Sequence, residues 1–377
     1  MASCRLILLV LPCLLHAQGS FSDFKKAQEQ TFTQEKVKFI NYKAEEDSAF
    51  KSYLEKEHKA ISDFKKKVNA LWSQSDLQEP KKLVNYSKDL HTKSLIDFKK
   101  NEVTISQIST AKKIPKEELL KQLNATLRLN SKEAFAQNRL EQDVNKISRD
   151  SKYIQHASLD KKPLIFSQDK RIDPKELTLT QKGKVYELTY KLPKDATYKR
   201  STNYLVAAKS NAQRFKLKAQ WLLAIMHSES SFNPMARSHI PAYGLMQIVP
   251  KSAGIDAYKF LYKKRRLLSA SYLYNTHNNI EMGSAYFHIL FYKYLASIKD
   301  PQSRLYCSIA AYNTGAGNVA RAFVRSNNVK KASKIINTMS ASQVYNHLQK
   351  NLKYDEPKHY LKRVSERSIR YKELYRL

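Results

Sequence analysis

The chain has 377 residues and a formal net charge of +33, because 67 Lys and Arg stand against 34 Asp and Glu. Such a charge attracts polyanions, so nucleic acid, anionic lipid headgroups and the carboxylates of a cell wall are the candidate partners. The length suffices for two domains with cores of their own. No segment after residue 17 approaches the roughly 18 continuous apolar residues of a membrane-spanning helix.

Residues 1–17 have the pattern of a secretory signal, with Arg5, an apolar run over 6–15 and a small residue at Ala17. We therefore expect cleavage near Ala17 and an exported protein, and export argues against nucleic acid as a partner. Cys13 is a candidate for a lipid anchor. Pro12 precedes it where such sites have a small residue, which disfavours the anchor.

From Ser20 to about Leu77 the chain has no Pro or Gly and is rich in Lys, Glu, Gln and Ala, which predicts one long helix. Aromatic and apolar residues recur every eleven positions, a period close to that of the α-helix, so they form one stripe along it. The stripe packs either on the following helices or on another copy of the chain. Its members are Phe39, Phe50, Ile61 and Trp72, and in parallel Tyr42, Tyr53 and Phe64.

The next hundred or so residues mix helical and strand patterns after a break at Pro80. Helices are predicted from Leu83 to about Glu102 and from Pro115 to about Lys152, with the strand-like VTISQIST between them. From Lys162 to Lys194 the pattern alternates through PLIFSQ and ELTLTQKGKVYELTYKLP, with Lys182-Gly183 as a hairpin turn. The first domain is therefore predicted to be α+β with a small sheet at its end.

The remainder of the chain is predicted to be helical. A basic cluster, KKRR at 263–266, either meets anionic wall or lipid groups or is a solvated face. The predicted helices cover Tyr204 to Phe215, the segment from Leu217, Asn278 to Tyr294, Gln302 to Asn313 with a stop at Gly315, part of Ala332 to Lys350, and a last helix from Glu356-Pro357.

One helix carries a carboxylate on its apolar face. Leu222, Ile225, Met226 and Glu229 share that face by their spacing, and Asn233-Pro234 ends the helix within a turn. Burial and the negative end of the helix dipole both disfavour the ionised form, so Glu229 is predicted to be a protonated acid near neutral pH. Taken alone, the residue would also fit a partly exposed glutamate at a helix end.

No second Asp or Glu follows Glu229 until Asp256. An ordinary glycosidase needs two neighbouring carboxylates, so this segment suggests a one-carboxylate mechanism. His227 and His239 flank the segment without metal-ligand spacing, and we predict neither a metal nor a cofactor. Cys307, the one cysteine outside the signal, has the spacing of a buried core residue.

Four motifs in order, ESSFNP, YGLMQIVP, AAYNTGAGNV and EPKHYLKRV, resemble the successive motifs of the soluble-lytic-transglycosylase family, whose domain is similar to goose-type lysozyme. The resemblance extends through NNIEMGSAY and IINTMSASQVY and covers roughly Tyr198 to Tyr371. It implies a mainly α protein: a lysozyme-like catalytic domain over 196–377, preceded by an amino-terminal α+β domain over 18–195 that follows the signal at 1–17.

The resemblance also implies an activity. Glu229 would protonate the glycosidic oxygen between N-acetylmuramic acid and N-acetylglucosamine. The N-acetyl group would then assist, and the sugar's own 6-hydroxyl would close on the anomeric carbon with the same glutamate as base. A 1,6-anhydro end would form without water, in a periplasmic enzyme of peptidoglycan associated with the outer membrane.

Further site residues follow motif by motif. The resemblance implies a serine near the substrate N-acetyl group, a sugar-binding amide, a tyrosine and an asparagine at the cleft floor, a second acidic residue that contacts sugar or steadies the site, and a terminal tyrosine. These are Ser238, Gln247, Tyr312, Asn313, Glu356 and Tyr360.

Two alternatives stay open at this point. A second carboxylate, Glu356, within about 5.5 Å of Glu229 would allow a muramidase-type hydrolase. A catalytically silent domain would leave a wall-binding scaffold, for which the long basic helix is suited. The expected partners are peptidoglycan strands, with an anionic membrane surface or other cell-wall proteins as further candidates.

Overall fold

The computed structural model describes residues 21–109, 116–149, 153–154, 158–165, 172 and 174–377. The predicted signal at 1–17, Cys13 and the predicted helix start at Pro115 lie outside these ranges. Within them, no helix combines the length and the apolarity that crossing a membrane requires.

A long helix opens the described chain, as predicted. Helix α1 spans Phe21–Asn69, so it ends before the predicted limit at Leu77. The described chain divides into two units, with the boundary between Ser52 and Tyr53. The sheet, the other helices and the candidate site all belong to the second unit.

An antiparallel sheet of five strands follows, and it corrects the helix predicted from Leu83 to Glu102. Its order is β1-β2-β3-β6-β5. The helix prediction was wrong because Leu83, Ile96 and Val103 are paired across the consecutive strands β1, β2 and β3 and are buried there, an arrangement that helical spacing does not reveal. The strands are β1 (Lys82–Tyr86), β2 (Thr92–Asp97), β3 (Glu102–Ile108), β5 (Leu177–Lys182) and β6 (Val185–Lys191).

The strand predictions for VTISQIST and for the later hairpin are confirmed by β3, β5 and β6. The β5–β6 turn contains Gly183 with φ +60°, a left-handed conformation that glycine adopts without steric cost. The described part of PLIFSQ, Pro163–Ile165, is not a strand, and 166–168 lie outside the described residues. A separate parallel pair joins β4 (Tyr153–Ile154) to β7 (Leu267–Leu268).

Three short helices replace the single helix predicted from Pro115 to Lys152. Asn130 caps the second of them through a capping box with Glu133, and Asn138 accepts from the Glu141 N–H at the start of the third. Asparagine competes with the helical backbone in this way, which divides the segment. The helices are α2 (Lys116–Leu127), α3 (Ser131–Gln137) and α4 (Arg139–Arg149).

The last members of the stripe, Phe64 on α1 and Trp72 just after it, pack on the sheet, which is neither of the two partners expected from the sequence. Phe64 and Trp72 meet the ring of Tyr86 edge-on, at centroid distances of 5.8 and 6.0 Å. The Trp72 ring N–H donates to the carbonyl of Leu90 at 2.7 Å. Trp72 follows the end of α1 at Asn69. Its contacts with Tyr86 and Leu90 therefore attach the end of the helix to the sheet.

The rest of the chain forms a helical assembly around one apolar core, which confirms a mainly α fold with a small amino-terminal sheet. Two π-helical turns, Pro250–Gly254 and Leu290–Tyr294, adjoin its helices. The helices are α5 (Ala196–Arg214), α6 (Ala219–Ser230), α7 (Ile255–Tyr262), α8 (Ala270–Tyr274), α9 (Thr276–Ile289), α10 (Pro301–Thr314), α11 (Ala316–Val324), α12 (Val329–Ile336), α13 (Ala341–Asn351) and α14 (Asp355–Tyr375).

Candidate active site

Glu229 lies in the last turn of α6. Leu222, Ile225 and Met226 on the same side are fully buried. The helix stops because Ser231 and Phe232 adopt left-handed backbone conformations, with φ of +51° and +64°. The Glu229 carboxyl group is therefore half-buried at the end of a helix, where the partial negative charge of the carbonyls also disfavours its ionisation.

The pKa of Glu229 is raised from 4.5 to about 7. Burial is the largest cause, and the negative charge of Glu356 acts in the same direction. Tyr360, Lys81 and Arg363 oppose the rise without cancelling it. Acid and carboxylate are therefore both populated near neutral pH, as a group that first gives and then takes a proton requires.

Two tyrosines lie beside Glu229. Burial and the Glu229 charge raise the pKa of both Tyr312 and Tyr360, so both stay neutral phenols. The Tyr312 hydroxyl donates to the carbonyl of Met246 at 2.8 Å. Tyr360 is fully buried, and its hydroxyl has no hydrogen-bond partner among the described residues, although it lies near enough to Glu229 to lower that group's pKa.

A tight turn over residues 244–247 carries Gln247. Gly244 has φ +76°, and a Cβ there would lie 2.3 Å from Asn279 Nδ2 and 2.4 Å from the Leu273 carbonyl oxygen. Gln247 itself has φ +49°, and its side-chain amide donates to the Gly244 carbonyl at 3.0 Å. The turn thus fixes the backbone of Gln247 and leaves the side chain half-buried beside the Tyr312 contact.

Asn279 holds this turn from α9. Its Nδ2 donates to the carbonyls of Tyr243 and Leu273, both at 2.8 Å, and its Oδ1 accepts from the N–H of Met246 at 2.8 Å. The residue is fully buried. Asn279 was not among the predicted site residues, and its position in NNIEMGSAY was the signal that could have identified it.

Three predicted site residues lie in more open positions. The half-buried Ser238 donates its hydroxyl to the Ile240 carbonyl and accepts from the Ala242 N–H at 3.1 Å, so it closes a loop. Asn313 is exposed near the end of α10. Glu356 is also exposed, with 63% of its side chain accessible, and pairs with Arg363 Nη2 at 2.7 Å.

Several cations approach Glu229. Lys81 comes from the segment just before β1, and burial followed by the charges of Arg367 and Arg363 lowers its pKa to about 8. Arg367 Nη1 donates to Ser228 Oγ at 2.9 Å. His227 is kept neutral, since burial and then Arg367 and Lys81 lower its pKa to about 2.

Buried groups from three helices hold the loop before Gly244. Arg237 donates to Glu57 Oε1 of α1 at 2.7 Å and to Glu141 Oε1 of α4 at 2.8 Å. The Tyr243 hydroxyl also donates to Glu57, at 2.9 Å, and the Tyr274 hydroxyl of α8 to Glu141, at 2.8 Å. Two buried carboxylates thus share one guanidinium, and each also accepts from a tyrosine hydroxyl, which makes their burial tolerable.

Other predicted features are placed as follows. Cys307 is buried, as its spacing predicted, and burial raises its pKa. His239 is exposed. Among the described residues, no three His, Cys, Asp or Glu side chains are grouped so that they could hold a metal ion.

Comparison with known proteins gives matches to both halves of the chain. Residues 207–335 match the family described as "Transglycosylase SLT domain", and residues 32–161 match "Membrane-bound lytic murein transglycosylase C, N-terminal domain". The chain is 32% identical over 327 residues to membrane-bound lytic murein transglycosylase C of Sodalis glossinidius, covering 81% of this chain and 87% of that protein.

A second curated relative and a solved structure also match the chain. The protein of the same name from Klebsiella pneumoniae subsp. pneumoniae is 31% identical over 327 residues, covering 81% of this chain and 86% of the relative. Among solved structures, an inactive mutant of lytic transglycosylase Slt from Pseudomonas aeruginosa superposes with a TM-score of 0.35 at 23% identity. That match covers 45% of this chain and 24% of the Slt chain.

Proposed function

The chain belongs to the family of membrane-bound lytic murein transglycosylase C, and from this premise we propose that it cleaves peptidoglycan glycan strands with Glu229 as its single catalytic carboxylate. The observation that carries the proposal is the burial and the raised pKa of the Glu229 carboxyl group. Glu229 is half-buried with a pKa of about 7, whereas Glu356 is exposed and paired with Arg363.

The proposed reaction begins with the protonated Glu229. Its proton passes to the oxygen of the β-1,4 bond between N-acetylmuramic acid and N-acetylglucosamine, and the bond from that oxygen to the anomeric carbon breaks. The substrate's N-acetyl oxygen stabilises the anomeric carbon. The ionised Glu229 then takes the proton of the 6-hydroxyl as its oxygen bonds to the anomeric carbon, which leaves a 1,6-anhydromuramic acid end and regenerates the acid.

The other site residues are proposed to bind the sugar. Tyr312 and Tyr360 border Glu229, and as neutral phenols they suit contacts with an acetamido group. Gln247 offers a side-chain amide on the neighbouring turn. Ser238, Asn313 and Glu356 are proposed to contact more distant parts of the strand.

The wider setting is also a proposal. We place the enzyme in the periplasm after export, in association with the outer membrane, with an amino-terminal domain at 18–195 and a catalytic domain at 196–377. The family's name and the predicted signal support this setting. A basic surface of +33 net charge suits anionic wall and membrane surfaces.

The test is mass analysis of digested murein. Anhydro-ended products weigh one water less than reducing-end products, so the expected result is anhydro ends, and reducing ends alone would make the protein a hydrolase.

Glu229→Gln should abolish lysis while wall binding persists. Glu366→Gln, which removes an exposed carboxylate of α14, is the matched control and should lyse as the wild type does. Unchanged lysis by Glu229→Gln would overturn the role of Glu229.

A further inference from the structure

Positive charge is concentrated on one side of Glu229, where α14 and the segment before β1 lie. Nearby carboxylates neutralise only part of this charge. Three cations meet there, namely Lys81, Arg363 and Arg367. Of the three, only Arg363 has a carboxylate partner in the part of the chain that the structure describes, the exposed Glu356 at 2.7 Å. The three are called here the basic triad.

The basic triad is held in place by the fold. The Pro80 carbonyl accepts from Asn233 Nδ2 at 3.2 Å, and the Lys81 carbonyl accepts from the Phe98 N–H at 2.9 Å. The main chain at Lys81 is thus fixed between the sheet and the segment that follows α6. Arg363 and Arg367 lie one turn apart on α14, which places them on the same side of that helix.

The donors of the basic triad are incompletely satisfied. The half-buried Lys81 ammonium makes no hydrogen bond and no ion pair within the described part of the chain. Arg363 Nε is buried without an acceptor, and Arg367 Nη1 reaches only the neutral hydroxyl of Ser228. Partly burying like charges without acceptors costs free energy, and an anionic ligand would offset that cost.

We propose that the basic triad is a subsite for a carboxylate group of the peptide stems that peptidoglycan strands carry on muramic acid. The inference rests on the proposed function, because it takes the strand cut at Glu229 as the ligand. A carboxylate suits the triad because an ammonium and two guanidinium groups can share its two oxygens. The subsite makes strands with peptides better substrates than bare glycan.

The experiment compares two substrates and one central variant. The substrates are glycan strands with intact peptides and the same strands after enzymatic removal of the peptides, with the lactyl carboxylate that this hydrolysis frees on muramic acid capped as a methylamide. Lys81→Met keeps the length of the side chain and removes its charge. We expect its kcat/KM on peptide-bearing strands to fall about tenfold, mainly through a higher KM, with a clearly smaller loss on bare strands.

Two further variants test whether the effect of Lys81→Met comes from the loss of the positive charge at position 81. Lys81→Arg should restore most of the preference for peptide-bearing strands, because the cation returns. Lys82→Met, which removes the neighbouring lysine that pairs with Glu79 at 3.1 Å, should leave the preference unchanged. Binding of a soluble disaccharide-tetrapeptide and of the disaccharide with its lactyl group capped as a methylamide to Glu229→Gln, with and without Lys81→Met, reports the subsite without turnover.

The outcomes separate the two proposals. Equal losses of Lys81→Met on both substrates would overturn the subsite and leave Lys81 acting only on Glu229 or on the fold, and no loss on either substrate would overturn it as well. Absence of anhydro products from the wild-type enzyme on both substrates would overturn the proposed function instead.

Discussion

The hydroxyl of Tyr312 on α10 donates to the main-chain carbonyl of Met246 at 2.8 Å. This bond joins the helix that borders Glu229 to the turn that carries Gln247, so the acid and the amide have a fixed spacing. Catalysis by positioned groups tolerates little displacement, since a shift of about 1 Å costs on the order of a hundredfold in rate.

Tyr312→Phe tests this link. The variant keeps the ring and loses the hydrogen bond, so we expect the free energy of unfolding to drop by about 1 kcal/mol and kcat/KM on murein to fall by about tenfold or more. Thermal melting and release of anhydro-muropeptides are the measurements. Tyr306→Phe, on the same helix, should change neither, and activity of Tyr312→Phe equal to that of Tyr306→Phe would contradict the role of the link.

Glu229→Gln should stabilise the protein at alkaline pH. The pKa of Glu229 is higher in the folded state, about 7, than its ordinary 4.5, so the folded state binds this proton more tightly. The resulting stability is fully present below pH 4.5 and is lost as pH rises through 7.

The measurement is urea unfolding from pH 4 to pH 8. At pH 8 the glutamine variant should exceed the wild type by on the order of 2 kcal/mol, and the gap should close towards pH 4. The exposed Glu366→Gln control should give no such pH-dependent gap. A constant difference across the range would mean that Glu229 has no raised pKa.

Arg237→Met should destabilise the fold strongly. The substitution leaves Glu57 and Glu141 as buried carboxylates without their shared cation, which costs about 3 to 5 kcal/mol in comparable cases. Chemical unfolding measures the loss. Combining Arg237→Met with Glu57→Gln and Glu141→Gln should recover part of it, and a single variant as stable as the wild type would contradict this prediction.

Gly244→Ala and Gly183→Ala form a matched pair. Both glycines have positive φ, but a Cβ at Gly244 would overlap Asn279 and Leu273, whereas nothing lies within 4 Å of one at Gly183. We expect a loss of about 1 kcal/mol for Gly183→Ala and of roughly 3 kcal/mol or more for Gly244→Ala. Thermal unfolding measures both losses of stability. Equal losses for the two variants would show that the contact with Asn279 does not constrain the turn.

Local signals predicted the helices that form the site. The spacing of Leu222, Ile225 and Met226 gave α6, and Gly315 marked the end of α10, because both signals act within a few residues. The burial of Glu229 followed from the same spacing, and its raised pKa confirms the expected effect of burial.

Long-range partners were beyond such signals. The strands over residues 83–102 pair with each other and with β3, but the sheet that they join is completed by β6, from a distant part of the chain. Arg237 bonds to groups 96 and 180 positions away along the chain, and no periodicity reports those distances. The approach of Lys81 to Glu229 depends in the same way on how the sheet docks on the segment after α6.

The guanidinium between Glu57 and Glu141 has a consequence for how this protein could be divided. A fragment beginning at residue 196 would keep the acid, the tyrosines and the amide, yet it would expose an arginine whose two counterions had been removed with the deleted half. Swapping that half for one from a distant relative would keep the arginine paired only if both glutamates came with it.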